Sequence, residues 1–233
     1  MTLPRMSPMP FWTRYDDPTP PTPRSAARDF VVRGLLPSVA IGAANVALGR
    51  WLVRREGLRE RETEMILTLR GERTRTKDVV AKVASTLTDV PESVLHGLIA
   101  TALLQRGTKQ WWVAALPGVA LVLEAWMYVA AGALVNRPRP DVPKLDHEQP
   151  TSSFPSGHQG ATVALAVVYW GLAGRVQNPA LRTAIRTACV SFPAVLGWSR
   201  TYVGMHYPSD VAVGTANGLA TGLLAWNYLR RDA

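Results

Sequence analysis

Two stretches of this 233-residue chain set its physical surroundings before any motif is read. Residues 111–135, WWVAALPGVALVLEAWMYVAAGALV, contain a single charged group, Glu124, over enough length to cross the roughly 30 Å hydrocarbon core of a bilayer. Residues 211–229, VAVGTANGLATGLLAWNYL, contain none and run straight into Arg230 and Arg231, as a span does where it meets a headgroup layer. Shorter or interrupted apolar runs lie at 34–53, 90–105, 159–174 and 182–199. Together the six runs predict an all-α, integral-membrane bundle of six helices.

The charges lie between the runs. Lys and Arg number 26 against 17 Asp and Glu, a net charge of +9. The basic residues do not line one amphipathic face, which points to anionic lipid headgroups and not to nucleic acid. One cysteine, Cys189, sits inside an apolar run and excludes both an internal disulfide framework and a cysteine-built zinc site. Residues 1–28 include DDPTPPTPRS and lack the apolar core of a cleavable signal peptide, so they read as a mobile, extended tail. Residues 29–74 read as a first span and a charged connector, and 75–233 as the catalytic membrane domain. Mixed charges from Arg54 to Lys82 suit a solvated helix or linker at the membrane surface. Within them Val79, Val80, Val83 and Leu87 recur at helical spacing beside Lys77 and Lys82, predicting a short interfacial helix that leads into the next span.

Two polar segments carry the chemistry: NRPRPDVPKLDHEQPTSSFPSGH at 136–158 and SRTYVGMHYPSD at 199–210. Two predicted spans separate them, so both fall on one face of the membrane and can build one site. Cleaving a phosphate ester requires cations to hold the phosphate oxygens, a nucleophile to attack phosphorus and an acid for the departing oxygen. Arg137, Arg139 and Arg200 offer permanently charged forks that bind phosphate bidentately. Ser156 and the amides around Gly157 add neutral donors. His158 and His206 supply two imidazoles that titrate near neutrality, and Asp210, four residues after His206, can orient an imidazole ring. Other polar residues have plainer roles: His147 and Glu148 solvated in the loop, His96 and Glu124 hydrogen-bonded within spans, Asp89, Pro91 and Glu92 starting a helix, Trp111 and Trp112 in an interfacial belt. For Arg137 a surface-anchor role competes with phosphate binding.

Arg139-Pro140, then Pro155-Ser156-Gly157-His158, then Ser199-Arg200 with His206 and Asp210 at their spacing resemble the signature of the type 2 phosphatidic acid phosphatase (PAP2) superfamily, K-x6-RP, PSGH and SR-x5-H-x3-D. The second and third parts match in full. The resemblance covers about 75–233 and implies a six-helix membrane bundle with its site at the membrane surface. It also implies that His206 is the nucleophile that becomes phosphorylated, Asp210 its partner and His158 the leaving-group acid. Arg139, Ser156, Gly157 and Arg200 would hold the phosphate, with no metal and no cofactor. The chain departs from the pattern at Gly132, where the family's lysine belongs; Arg137 or Lys144 could supply that charge.

The expected function is a membrane phosphatase hydrolysing a lipid phosphate or polyprenyl diphosphate through phosphohistidine. A lipid phosphotransferase, or a non-catalytic lipid-phosphate binder or transporter, is the alternative. Polyprenyl diphosphate, phosphatidate and phosphatidylglycerol phosphate are the candidate substrates. The arginines at 106, 175, 182, 186, 230 and 231 assign their ends to the cytoplasm and the catalytic loops to the outer face of a multi-pass cell-membrane protein. The charged segment 54–82 then lies outside as well, against the positive-inside trend.

Overall fold

The computed structural model describes residues 19–71, 73–147 and 151–228, and among these every regular element is a helix. We number them α1 (Pro23–Val53), α2 (Glu56–Gly71), α3 (Arg75–Thr86), α4 (Val90–Thr108), α5 (Trp111–Val135), α6 (Gly157–Ala173), α7 (Pro179–Tyr202) and α8 (Pro208–Asn227). The six apolar runs fall on α1, α4, α5, α6, α7 and α8. Of the eight, α1 and α5 pass a joint test of length and apolarity for crossing a membrane. The outward face of α4 exposes Val94, Leu95, Leu98 and Leu103.

Local chemistry sets the boundaries. The Asn178 side chain accepts from the amides of Ala180 and Leu181 ahead of Pro179, capping α7. Pro208 opens α8, and Asp210 reaches back to the Tyr207 amide. Asn136 takes a left-handed conformation (φ 48°) and ends α5. Helix α1 begins earlier than the sequence suggests: Thr22 caps it and Pro23 enters at its first turn. The extended tail expected over 1–28 therefore lies outside the described residues as far as 18, and residues 23–28 are helical.

Helix α8 is central and packs on α6, α5 and α1. A Cβ at Gly214 or Gly218 would collide with the carbonyl oxygens of Ser156 or Gly160, so α6 and α8 touch backbone to backbone. Close packing through small residues is what binds helices in lipid, where apolar burial gives no driving force between them. Polar ties reinforce it: Asn45 of α1 donates to Asn217 of α8 at 2.8 Å, and Trp126 of α5 donates to Ser38 at 2.9 Å.

The charged segment 54–82 forms α2 and α3, and it is more than a solvated connector. Glu62 and Ile66 of α2 are buried, and Ile66 packs with Val142 and Tyr207. Helix α3 buries Ala81, Ala84 and Ser85 toward α7 while exposing Val79, Val80, Val83 and Leu87, the amphipathic arrangement of an interfacial helix.

Candidate active site

The two polar segments meet at one end of the bundle, where the α5–α6 loop, the α7–α8 loop and the first turns of α4 and α6 converge. Ser153 joins the two loops: its amide donates to the Arg137 carbonyl at 2.9 Å, and its own carbonyl accepts from His206 Nδ1 at 2.6 Å. A carbonyl can only accept, so Nδ1 carries the hydrogen and the lone pair of His206 lies on Nε2. Burial, with the Arg200 and Arg139 guanidiniums, holds this imidazole well below its usual range, although the bond to Ser153 opposes them. His206 is therefore neutral at physiological pH, the state a nitrogen nucleophile requires.

Asp210 does not hold His206. Its carboxylate accepts from Arg137 Nη1 at 2.5 Å and from the Tyr207 amide at 2.9 Å, and it is fully buried. Arg137 is 1% exposed and also donates through Nη2 to Glu62 at 2.9 Å, with its guanidinium 4.2 Å from the centre of the Tyr207 ring. Glu62 in turn accepts from the amide and the hydroxyl of Ser209. Both terminal nitrogens of Arg137 are thus engaged in a buried Glu62–Arg137–Asp210 network. Arg137, expected to bind phosphate or to anchor at the membrane surface, instead holds these two buried carboxylates. The orientation of His206 falls to Ser153 instead of Asp210.

The remaining expected ligands surround His206. Arg139 donates to the Met205 carbonyl at 2.7 Å and to Thr151 at 3.1 Å. Arg200 donates to Asp146 at 2.8 Å and to Ser85 at 3.1 Å, so a carboxylate and a hydroxyl engage its guanidinium. The Ser156 hydroxyl is buried and without a partner. Gly157 opens α6, and a Cβ there would press on the Tyr128 ring at 2.9 Å. The amides that begin α6 therefore stand at a helix N-terminus, a natural seat for an anion. His158 follows, and its Nε2 lies 3.0 Å from Asp89 at the start of α4. The loop ahead of His206 turns at Gly204 (φ 77°), where Arg70 of α2 packs and donates to the carbonyls of Tyr202 and Pro143.

Below His158, between α4 and the pair α6 and α7, lies an apolar groove of about 300 Å³ whose lining includes Leu87, Thr88, His96, Leu165, Tyr169 and Phe192. His96 stacks on Tyr169 with ring centroids 5.6 Å apart. The plainer readings of His147 and Glu148 divide: His147 is exposed, and Glu148 lies outside the described residues. Glu62, Asp89, Asp146 and Ser153 are contacts that the motifs did not announce.

Lys144 donates to the carbonyls of Pro140 and Val142 within its own loop. At Gly132 a Cβ would meet only the Phe154 carbonyl and the Ser152 Cβ, both at the ordinary distance of 3.8 Å. The backbone at 132 therefore has room for a Cβ. Gly132→Lys is expected to tighten competitive inhibition by inorganic phosphate about 10-fold or more, one charge-assisted contact contributing about 1.5–3 kcal/mol. An unchanged inhibition constant would show that position 132 does not face the phosphate.

Comparison with known proteins gives the chain its family. The PAP2 superfamily model matches residues 113–232. A decaprenylphosphoryl-5-phosphoribose phosphatase of Mycobacterium tuberculosis is 34% identical in an alignment 172 positions long that covers 63% of this chain and 86% of that protein. Among solved structures, a transmembrane PAP2 type phosphatidylglycerolphosphate phosphatase from Bacillus subtilis superposes with a TM-score of 0.69 at 20% identity, over 82% of this chain and 92% of that one. Aquifex aeolicus LpxE superposes with a TM-score of 0.56 at 24% identity, over 70% and 92%. The chain belongs to the PAP2 superfamily and is a phosphatase of its metal-independent membrane branch.

Proposed function

We propose that this protein removes a terminal phosphate from a lipid-linked phosphate ester through a phosphohistidine on His206. The observation that carries the reading is a neutral, buried His206 with Nε2 as its nucleophilic atom, beside Arg139 and Arg200. The phosphate would sit on the amides that begin α6 and on the two guanidiniums, with Arg200 exchanging Asp146 for phosphate oxygens. His206 Nε2 attacks phosphorus and the bond from phosphorus to the lipid oxygen breaks. That oxygen takes a proton from His158. Water then attacks phosphorus as its bond to His206 Nε2 breaks, gives a proton to His158 and leaves as part of inorganic phosphate, restoring both imidazoles.

The groove suits a hydrocarbon chain. The mycobacterial relative, named for a decaprenyl-linked phosphosugar, supports a polyprenyl substrate over a diacylglycerol one. Six helices, α1 and α4 to α8, would span the bilayer. Arg175 in the α6–α7 turn and Arg182 in the first turn of α7 lie at the end of α6 opposite His158, which supports an outward-facing site.

The test is phosphate release by the detergent-purified protein, without any acceptor alcohol, from a polyprenyl-linked phosphosugar, a polyprenyl diphosphate, phosphatidate and phosphatidylglycerol phosphate. Release with transient acid-labile label on the protein is the expected result, with the polyprenyl-linked phosphosugar turned over fastest. Label that accumulates without release, in the absence of an acceptor, would instead identify a phosphotransferase.

A further inference from the structure

Of the contacts that the motifs did not announce, one touches a proposed proton donor directly. Asp89 ends the α3–α4 turn and holds His158 Nε2 at 3.0 Å from its Oδ1. The helix does not use this carboxylate, since Asp89 makes no side-chain cap bond to α4. It lies outside the PAP2-matched region and 69 positions from its partner. We propose that Asp89 is a positioning residue for the leaving-group acid: it fixes the His158 ring through Nε2 and leaves Nδ1 to deliver the proton to the departing lipid oxygen. This rests on the reading of His158 as that acid.

The logic is that of a carboxylate on one imidazole nitrogen setting the ring's orientation and favouring its cationic form while the other nitrogen does the transfer. The need for it is visible in the surroundings of His158. Burial and the Arg200 guanidinium of α7 push its pKa down, whereas Asp89 from α4 and Asp146 from the α5–α6 loop push it up. His206, from the α7–α8 loop, couples to His158 electrostatically as well. A general acid must hold its proton at working pH, and burial beside a guanidinium works against that. When phosphate takes Arg200 from Asp146, Asp89 is the carboxylate still bonded to the ring.

The test uses leaving groups. An alkoxide must be protonated as it departs, whereas a nitrophenolate leaves without help. Full-length wild type, Asp89→Asn, Asp89→Glu and His158→Ala would be assayed in detergent on a short-chain phosphatidate and on 4-nitrophenyl phosphate. Asp89 makes no cap bond to α4 and asparagine matches its shape, so α4 should be undisturbed. Asp89→Asn is expected to lower kcat/KM, which ends at departure of the leaving group and so excludes the water step that His158 also serves, about 10-fold or more on the alkyl ester while leaving the aryl ester within about 2-fold. It should also move the high-pH limb of the alkyl profile to lower pH, since an acid that has lost its countercharge gives up its proton sooner. Asp89→Glu should restore part of the rate. Equal losses on both substrates, or no loss on either, would overturn the proposal. His158→Ala separates the two readings: if it discriminates the leaving groups and Asp89→Asn does not, His158 remains the acid and only Asp89's role falls. If His158→Ala fails to discriminate, the acid assignment falls and Asp89's role with it.

Discussion

His206→Ala is expected to reduce phosphate release from a lipid phosphate by about 10⁴-fold or more and to abolish acid-labile label on the protein, as loss of a covalent nucleophile does. No other imidazole can take its place without rebuilding the loops. His206 owes its position to the Ser153 carbonyl and to amide bonds from Met205 and His206 back to the Arg200 carbonyl. His158, the other histidine of the site, is held at the mouth of α6 by Asp89. The substitution removes one hydrogen bond and leaves the Ser153 carbonyl without that partner, a stability cost of about 1–3 kcal/mol. Detergent-phase melting beside wild type separates that cost from the loss of chemistry. Label retained in a folded His206→Ala protein would place the phosphoryl group on another residue.

The second large effect is on stability. Arg137 is the cation between Glu62 and Asp210, all three at most 4% exposed. Arg137→Met keeps much of the side-chain volume but leaves two buried carboxylates without their cation, which costs about 3–5 kcal/mol. A melting temperature lower by about 10 °C follows for a chain of this size. The loss should change little with salt, because screening acts weakly on buried pairs. Adding Glu62→Gln to Arg137→Met should recover part of it by removing one stranded charge. A double variant no more stable than Arg137→Met alone would show that Glu62 does not bear on Arg137 energetically.

Candidate residues that lie within one short segment were legible in the sequence. Arg139, Ser156, Gly157, His158, Arg200 and His206 announce themselves by type and spacing, and the structure gathers them at one end of the bundle. The apolar runs likewise locate helices, because apolar composition over a sufficient length is a local property. Partners across the fold were not legible. Glu62 lies 75 positions from Arg137 and looks like any acid in a run of alternating charges. Asp89 passed for a helix start, and Ser153 acts through its backbone, which no residue type reveals. Arg137 was misassigned for the same reason: its chemistry suits phosphate, but Glu62 and Asp210 reach it first. Asp210 stands at its motif position, yet its carboxylate faces Arg137 and not the histidine four residues earlier. The tail was misjudged past Pro23 because proline breaks a helix interior but suits its first turn.

The backbone contact between α6 and α8 gives the site a fixed gauge. One helix carries the proposed proton donor at its mouth, and the other starts directly after the nucleophile's loop. Glycines set their separation, so no side chain between them can yield. A bilayer that thins or thickens would strain the bundle elsewhere, and α4 is placed to absorb it: apolar and outward-facing along much of its length, it borders the groove instead of filling it. Membrane thickness should then alter how readily a lipid chain enters beside α4, while the spacing from nucleophile to acid stays constant.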